Sequence, residues 1–142
     1  MPQQEGYARR TLGADNVFTW HPPSPYVEFG LASCFSFLRA ASDACDLTAT
    51  ANVLGYDCLG IADRNTLAGV VRIHTEAAKA CVSPLIGTRL VLLCGTELLA
   101  YPQDRDAYAR LSTLLSKGKM QTADGAWQDK GETHLTLEIL RD

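Results

Sequence analysis

The chain has 142 residues, 46% of them hydrophobic and 20% charged, enough apolar material for one folded domain or part of a larger one. That balance excludes a disordered segment. A formal net charge of −3 and a pI near 5.5 weigh against a dedicated nucleic-acid-binding module, which needs Lys and Arg in local surplus to neutralise phosphates.

The amino terminus, Met1-Pro2-Gln3-Gln4-Glu5, shows no apolar run behind a basic start, so no secretory signal is visible. The longest uninterrupted apolar run, residues 90–94, is far too short to span a bilayer, and no membrane role is expected. Five cysteines (Cys34, Cys45, Cys58, Cys81 and Cys94) stand at wide, irregular gaps with no Cys-x-x-Cys pair. An odd count without pairing spacing reads as reduced thiols in a cytoplasmic protein, each filling the place of a small buried hydrophobe.

In chain order, residues 1–25 form an irregular lead-in broken by Gly6, Gly13, Pro22, Pro23 and Pro25. Residues 26–31 read as a first strand, followed by a loop through Ser33, Ser36 and Ala41. Ser42 is the expected N-cap of a helix with Asp43 and Asp46 in its first turn, and Ala44, Leu47, Ala51 and Leu54 share one face before Gly55 stops it. Residues 58–62 make a short buried strand ending at Asp63. A second helix places Leu67, Val70, Val71, His74, Ala78 and Cys81 on an apolar stripe, with Arg72, Glu76 and Lys79 opposite. Residues 85–93 are the third strand, Gly95 a turn, and residues 98–101 a hairpin partner. Asp104 caps a third helix that turns Tyr108, Leu111, Leu114 and Leu115 inward and stops at Gly118. Residues 131–142 read as a loop and the first turn of a fourth helix, whose apolar Leu135, Leu137, Ile139 and Leu140 need a partner; a longer parent protein is expected. Strand, helix, strand, helix, strand implies an α/β fold with mainly parallel strands.

In such folds the chemistry gathers at the carboxyl ends of the strands. Three places qualify: residues 30–35, residues 63–65 and Arg89. Asp63 stands out, and its position alone leaves open a metal ligand, a general base or a loop cap. His74 reads as a packed or edge histidine and His134 as a loop residue. Residues 55–60 carry two glycines without the Lys-Ser/Thr of a phosphate-binding loop, and Lys117-Gly118-Lys119 reads as a cation pair at a helix end.

Three stretches carry a resemblance. They are Tyr26-Val27-Glu28-Phe29-Gly30-Leu31-Ala32-Ser33-Cys34-Phe35-Ser36-Phe37-Leu38, then Leu59-Gly60-Ile61-Ala62-Asp63-Arg64-Asn65-Thr66-Leu67-Ala68-Gly69-Val70, then Pro84-Leu85-Ile86-Gly87-Thr88-Arg89-Leu90. In order and spacing they resemble the polymerase-and-histidinol-phosphatase (PHP) domain at the front of bacterial C-family DNA polymerases. Leu98-Leu99-Ala100-Tyr101-Pro102-Gln103-Asp104-Arg105 and Glu132-Thr133-His134-Leu135-Thr136-Leu137 are similar to the error-prone branch.

The resemblance implies a distorted (β/α)7 barrel, of which residues 26–142 would be the degenerate amino-terminal portion. Metal-binding members hold up to three ions on a His-x-His motif, an Asp-His motif and a later Glu. Those motifs fall here on Gly30-Leu31-Ala32, on Asp63-Arg64 and on Arg89, so only Asp63 keeps a ligand. Glycine and alanine carry no donor atoms, guanidinium is always protonated, and one carboxylate with Cys34 nearby is no metal site. The resemblance therefore implies no catalytic residue, metal or cofactor in this chain. Mg-dependent nucleotidyl transfer, lesion bypass and DNA repair belong to the parent polymerase, whose remainder and accessory proteins are the expected partners and through which DNA is reached. A free-standing metal-dependent phosphoesterase and a solitary interaction module are the alternatives. Two structural expectations follow. Three or four strands leave a sheet edge open, and Arg89 pairs with Asp63 at about 4 Å or less.

Overall fold

The computed structural model describes residues 26–120, 127–129 and 132–140. The lead-in at residues 1–25 lies outside them. Seven elements follow in order: β1 (Glu28–Leu31), α1 (Ala44–Val53), β2 (Cys58–Arg64), α2 (Val70–Lys79), β3 (Ser83–Val91), β4 (Glu97–Ala100) and α3 (Arg105–Lys119). They build a four-stranded sheet in the order β1-β2-β3-β4. The first three strands run parallel and β4 returns antiparallel from β3. The α/β class, the mainly parallel sheet and the hairpin agree with the sequence.

β2 is central, and its five inner residues, from Leu59 to Asp63, are all buried, as a parallel strand covered on both faces requires. Leu59 and Ile61 point to the helix-covered face. Leu59 packs with Cys45, Ala51, Ala80 and Val82, and Ile61 with Ala44 and Ile73. A third cluster joins Leu90 and Leu92 to Leu111 and Leu115 of α3 and to Leu135. Alternation sends Gly60, Ala62 and Gly87 to the other face. There Tyr101 lies across the glycines: a Cβ at Gly87 would sit 2.6 Å from the ring, and one at Gly60 would sit 2.9 Å from the phenol oxygen.

Several local expectations are corrected. The N-cap of α1 is Asp43, not Ser42, and its carboxylate accepts from the Cys45 N–H at 2.6 Å. The buried face of α2 is Ile73, Glu76 and Ala77, whereas Val71 is 78% exposed and His74, Ala78 and Cys81 are exposed. Small Ala77 lets the helix approach the sheet closely, and Lys79 Nζ reaches buried Glu76 at 3.1 Å. Arg72 meets Asp43 at 3.0 Å, so one carboxylate caps α1 and ties α2 to it. Gly118 does not stop α3 but lies inside it, because a Cβ there would come within 2.7 Å of Leu135 Cδ2. Tyr108 is exposed, and only Leu111 and Leu115 of the expected inward set are buried. Residues 137–140 form a turn, and residues 141–142 lie outside the described set. All five cysteines are free thiols, but only Cys45 is buried, while Cys81 and Cys94 are exposed. No helix among the described residues is long and apolar enough to cross a membrane.

Candidate functional site at the carboxyl ends of the parallel strands

The carboxyl ends of β1, β2 and β3 bring together every residue singled out at this edge: Gly30, Ala32, Asp63, Arg64 and Arg89. Asp63 is 2% exposed and points to the helix-covered face. Its Oδ1 accepts from the Ser33 N–H at 2.7 Å and the Ser36 hydroxyl at 2.6 Å, and its Oδ2 accepts from the Ser33 hydroxyl at 2.7 Å. Short bonds to an ionised acceptor are the strong kind, and here they bind the loop after β1 to the end of β2. The Ser36 oxygen also accepts from the Arg64 N–H at 3.1 Å, and the Ser33 oxygen from the Phe35 N–H at 3.2 Å.

The expected Asp63–Arg89 ion pair is not formed. Asp63 stands in register with Thr88, and Arg89 stands in register with Arg64. Side chains alternate along a strand, so the carboxylate goes to one face and both guanidiniums to the other. Arg89 Nη1 instead donates to Glu97 Oε2 at 3.0 Å, and its Nη2 donates to the Gly30 carbonyl at 3.1 Å. Arg64 Nη1 stands 3.9 Å from Glu97 Oε1.

Gly30 has a local reason. β1 carries an irregularity between Glu28 and Leu31 in its register with β2, and Gly30 takes φ +94° there. A Cβ would stand 3.3 Å from Arg89 Nη2, so the guanidinium fills the space above this glycine. The Gly30 N–H donates to the Tyr101 hydroxyl at 3.1 Å. Burial pushes the Tyr101 phenol above its ordinary range, opposed by that N–H and by the charge of Arg89.

Asn65 completes the edge. With φ +48°, a conformation asparagine tolerates better than most residues, it turns out of β2 yet continues the pairing with β3. Its N–H donates to the Arg89 carbonyl at 2.9 Å, and its Oδ1 accepts from the Val91 N–H at 2.8 Å. Sequence reading singled out the stretches that hold Ser33 and Asn65 without giving either a role, and it missed Ser36, Glu97 and Tyr101 as working parts. A signal existed for Tyr101, since Gly60 and Gly87 leave an uncovered stripe on one sheet face. No signal marked Glu97, whose role depends on hairpin register.

The donor set does not fit a divalent ion. Among the described residues no group of three His, Cys, Asp or Glu side chains converges, and Asp63 and the two guanidiniums leave the sheet on opposite faces. His74 is exposed on α2, and His134 lies in a loop 3.6 Å from Glu132. A groove of about 920 Å³ runs along α3 and reaches Tyr101, lined chiefly by apolar residues such as Leu90, Ala100, Leu114 and Leu140, without a convergent set of reactive groups.

A family model for the PHP domain matches residues 30–142. The chain belongs to the PHP domain family. Its four strands are part of the wall of a PHP-type barrel. It is 45% identical over 121 residues to an error-prone DNA polymerase of Caulobacter vibrioides, a match covering 84% of this chain and 11% of that protein. It is 50% identical over 120 residues to an error-prone DNA polymerase of Rhodopseudomonas palustris (strain ATCC BAA-98 / CGA009), covering 81% of this chain and 10% of that protein. The chain thus spans about a tenth of the length of the curated relatives it matches. A solved structure from Bifidobacterium adolescentis, assigned as a metal-dependent phosphoesterase, shares the fold with a TM-score of 0.56 and 20% identity, covering 70% of this chain and 35% of that one.

Proposed function

We propose that this PHP domain serves an error-prone DNA polymerase as a non-catalytic scaffold, a cytoplasmic docking surface for the polymerase body and its accessory proteins. Nucleotidyl transfer past lesions during DNA repair, with its Mg ions, would belong to the rest of that polymerase, and DNA would be reached through it. The observation that carries the reading is the fate of Asp63. It is the one ligand kept from the family's motifs, and both its oxygens are committed to Ser33 and Ser36. Gly30 and Ala32 offer no side-chain donor, and Arg64 and Arg89 repel cations.

Titration with zinc or manganese, followed by calorimetry, tests this directly. The expected result is no stoichiometric uptake and phosphatase activity at background. Tight uptake of two or more ions per chain would overturn the proposal in favour of a metal-dependent phosphoesterase. A reading frame that continues past Asp142 into a polymerase palm would support the parent assignment.

A further inference from the structure

The pair of arginines at the strand ends is built more elaborately than a surface ion pair requires. Arg64 and Arg89 are direct register partners on parallel strands, so their side chains leave the sheet side by side on the same face. Like charges in that relation repel, and a nearby anion relieves the repulsion. Glu97 supplies one negative charge for two positive ones, leaving the cluster at +1.

The two guanidiniums are not equally engaged. Arg89 is fixed by Glu97 and the Gly30 carbonyl. Arg64 reaches Glu97 only at 3.9 Å, beyond hydrogen-bonding range, and its side chain donates no hydrogen bond to any described residue. Yet the backbone carrying it is among the most constrained in the molecule. Asp63 is locked to Ser33 and Ser36, the Arg64 N–H is bonded to Ser36, and Asn65 is bonded to Arg89 and Val91. A rigid backbone presenting a guanidinium held only by a long ion pair beside a second, hydrogen-bonded one is the arrangement of a preorganised anion site. Both side chains are 34% exposed, open to a ligand but partly desolvated.

We propose that Arg64 and Arg89 bind a phosphate dianion at the carboxyl ends of β2 and β3, with the Glu97 carboxylate as its internal competitor. A guanidinium fork presents paired donors to two phosphate oxygens, and the Arg64 fork donates no hydrogen bond to any described residue, its contact with Glu97 being an ion pair at 3.9 Å. Glu97 is 42% exposed and follows the Gly95 turn, so its carboxylate can swing into solvent as phosphate arrives. A phosphomonoester or free phosphate fits better than a nucleic-acid backbone. A chain of net charge −3 lacks the surplus cations needed to follow successive phosphodiesters.

The test is titration of the protein with inorganic phosphate in the presence of EDTA, at ionic strength held constant with chloride. NMR of the arginine Nε–Hε groups reports the site. Saturable shifts of the Arg64 and Arg89 signals, absent from the chloride control, are expected. Arg64→Gln keeps the backbone bonds of this position, so it is expected to fold and to weaken binding by roughly tenfold or more. Glu97→Gln removes the competitor and is expected to tighten binding by about fivefold, the size of one charge at 4 Å in water. A single-stranded oligonucleotide with and without a 5′-phosphate separates the sources. Arg64 shifts that need the terminal phosphate support the proposal. Oligonucleotide binding that leaves Arg64 unmoved overturns it, as do wild-type affinity in Arg64→Gln or a Glu97→Gln variant that binds no tighter. Should Arg64→Gln fail to fold, the Glu97→Gln result decides, because only a competing carboxylate tightens binding when removed.

Discussion

At the scale of the residue, Asp63 shows how a buried carboxylate at a strand end can serve as a structural acceptor. Its three short hydrogen bonds hold the loop after β1 against the end of β2. The two simplest substitutions have different expected costs. Asp63→Ala leaves the Ser33 N–H and two hydroxyls buried without acceptors, which should cost about 3 kcal/mol. Asp63→Asn keeps one oxygen for the Ser33 N–H and the Ser36 hydroxyl, and the Ser33 hydroxyl can rotate to accept from the new amide. Its cost should be about 1 kcal/mol. Urea unfolding of both variants checks the order, and equal losses would mean that volume, not hydrogen bonding, governs the position. The candidate site was only partly legible because of a one-residue question. Its residues and their place at the strand ends followed from the pattern, but whether Asp63 faces Thr88 or Arg89 depends on register, and local sequence does not encode the register of two strands joined by a helix.

At the scale of the element, the strands, the hairpin and the third helix's cap were readable because buried runs, Gly95 and Asp104 are strong local signals. The face of α2 was not. Its buried side carries Glu76 among short alanines, while Val71 and His74 on the outer side imitate an apolar stripe. Tyr101 is a second feature that only the assembled sheet explains. It follows β4 and covers the glycine stripe of β2 and β3, as an aromatic side chain opposite a strand glycine does elsewhere. This position predicts an alkaline dependence. Because burial raises the phenol above its ordinary value of 10.0, the unfolded chain ionises first as pH rises. The contribution is therefore intact below about pH 10 and lost as pH climbs toward the folded value. Tyr101→Phe loses the acceptor for the Gly30 N–H and should be less stable at neutral pH. Between about pH 9 and pH 11, however, its unfolding midpoint should fall less steeply than that of the parent. Identical slopes would show that the phenol is as solvated folded as unfolded.

At the scale of the whole molecule, the described residues divide into packing units with different duties. Asp63 and the loop it holds belong to the unit formed by β1, β2, α1 and α2, whose clusters centre on Leu59 and Ile61, while Arg89 lies on β3, whose Leu90 packs in the other cluster. The helix α3 is held by a separate cluster, and Leu135 joins its two sides. Leu135 is fully buried, its carbonyl accepts from the Leu93 N–H at 2.9 Å, and the adjacent His134 N–H donates to the Gly118 carbonyl at 2.8 Å. The segment around it is thus clamped between the β3–β4 hairpin and α3, with Gly118 leaving room for the leucine. Leu135→Ala would remove most of a buried side chain from a site whose walls are a helix and a hairpin, at a cost of about 3 kcal/mol. That cost should fall on one unit. Amide hydrogen exchange should quicken through α3 and at Leu93, while β2 and α2 keep their protection, as expected for a locally cooperative unit. Ile61→Ala, at the centre of the other unit, should instead accelerate exchange in β2, α1 and α2. If Leu135→Ala loosened β2 as much as α3, the packing clusters would not be separate units of stability. The site edge would then depend on the segment after α3 as closely as on its own helices.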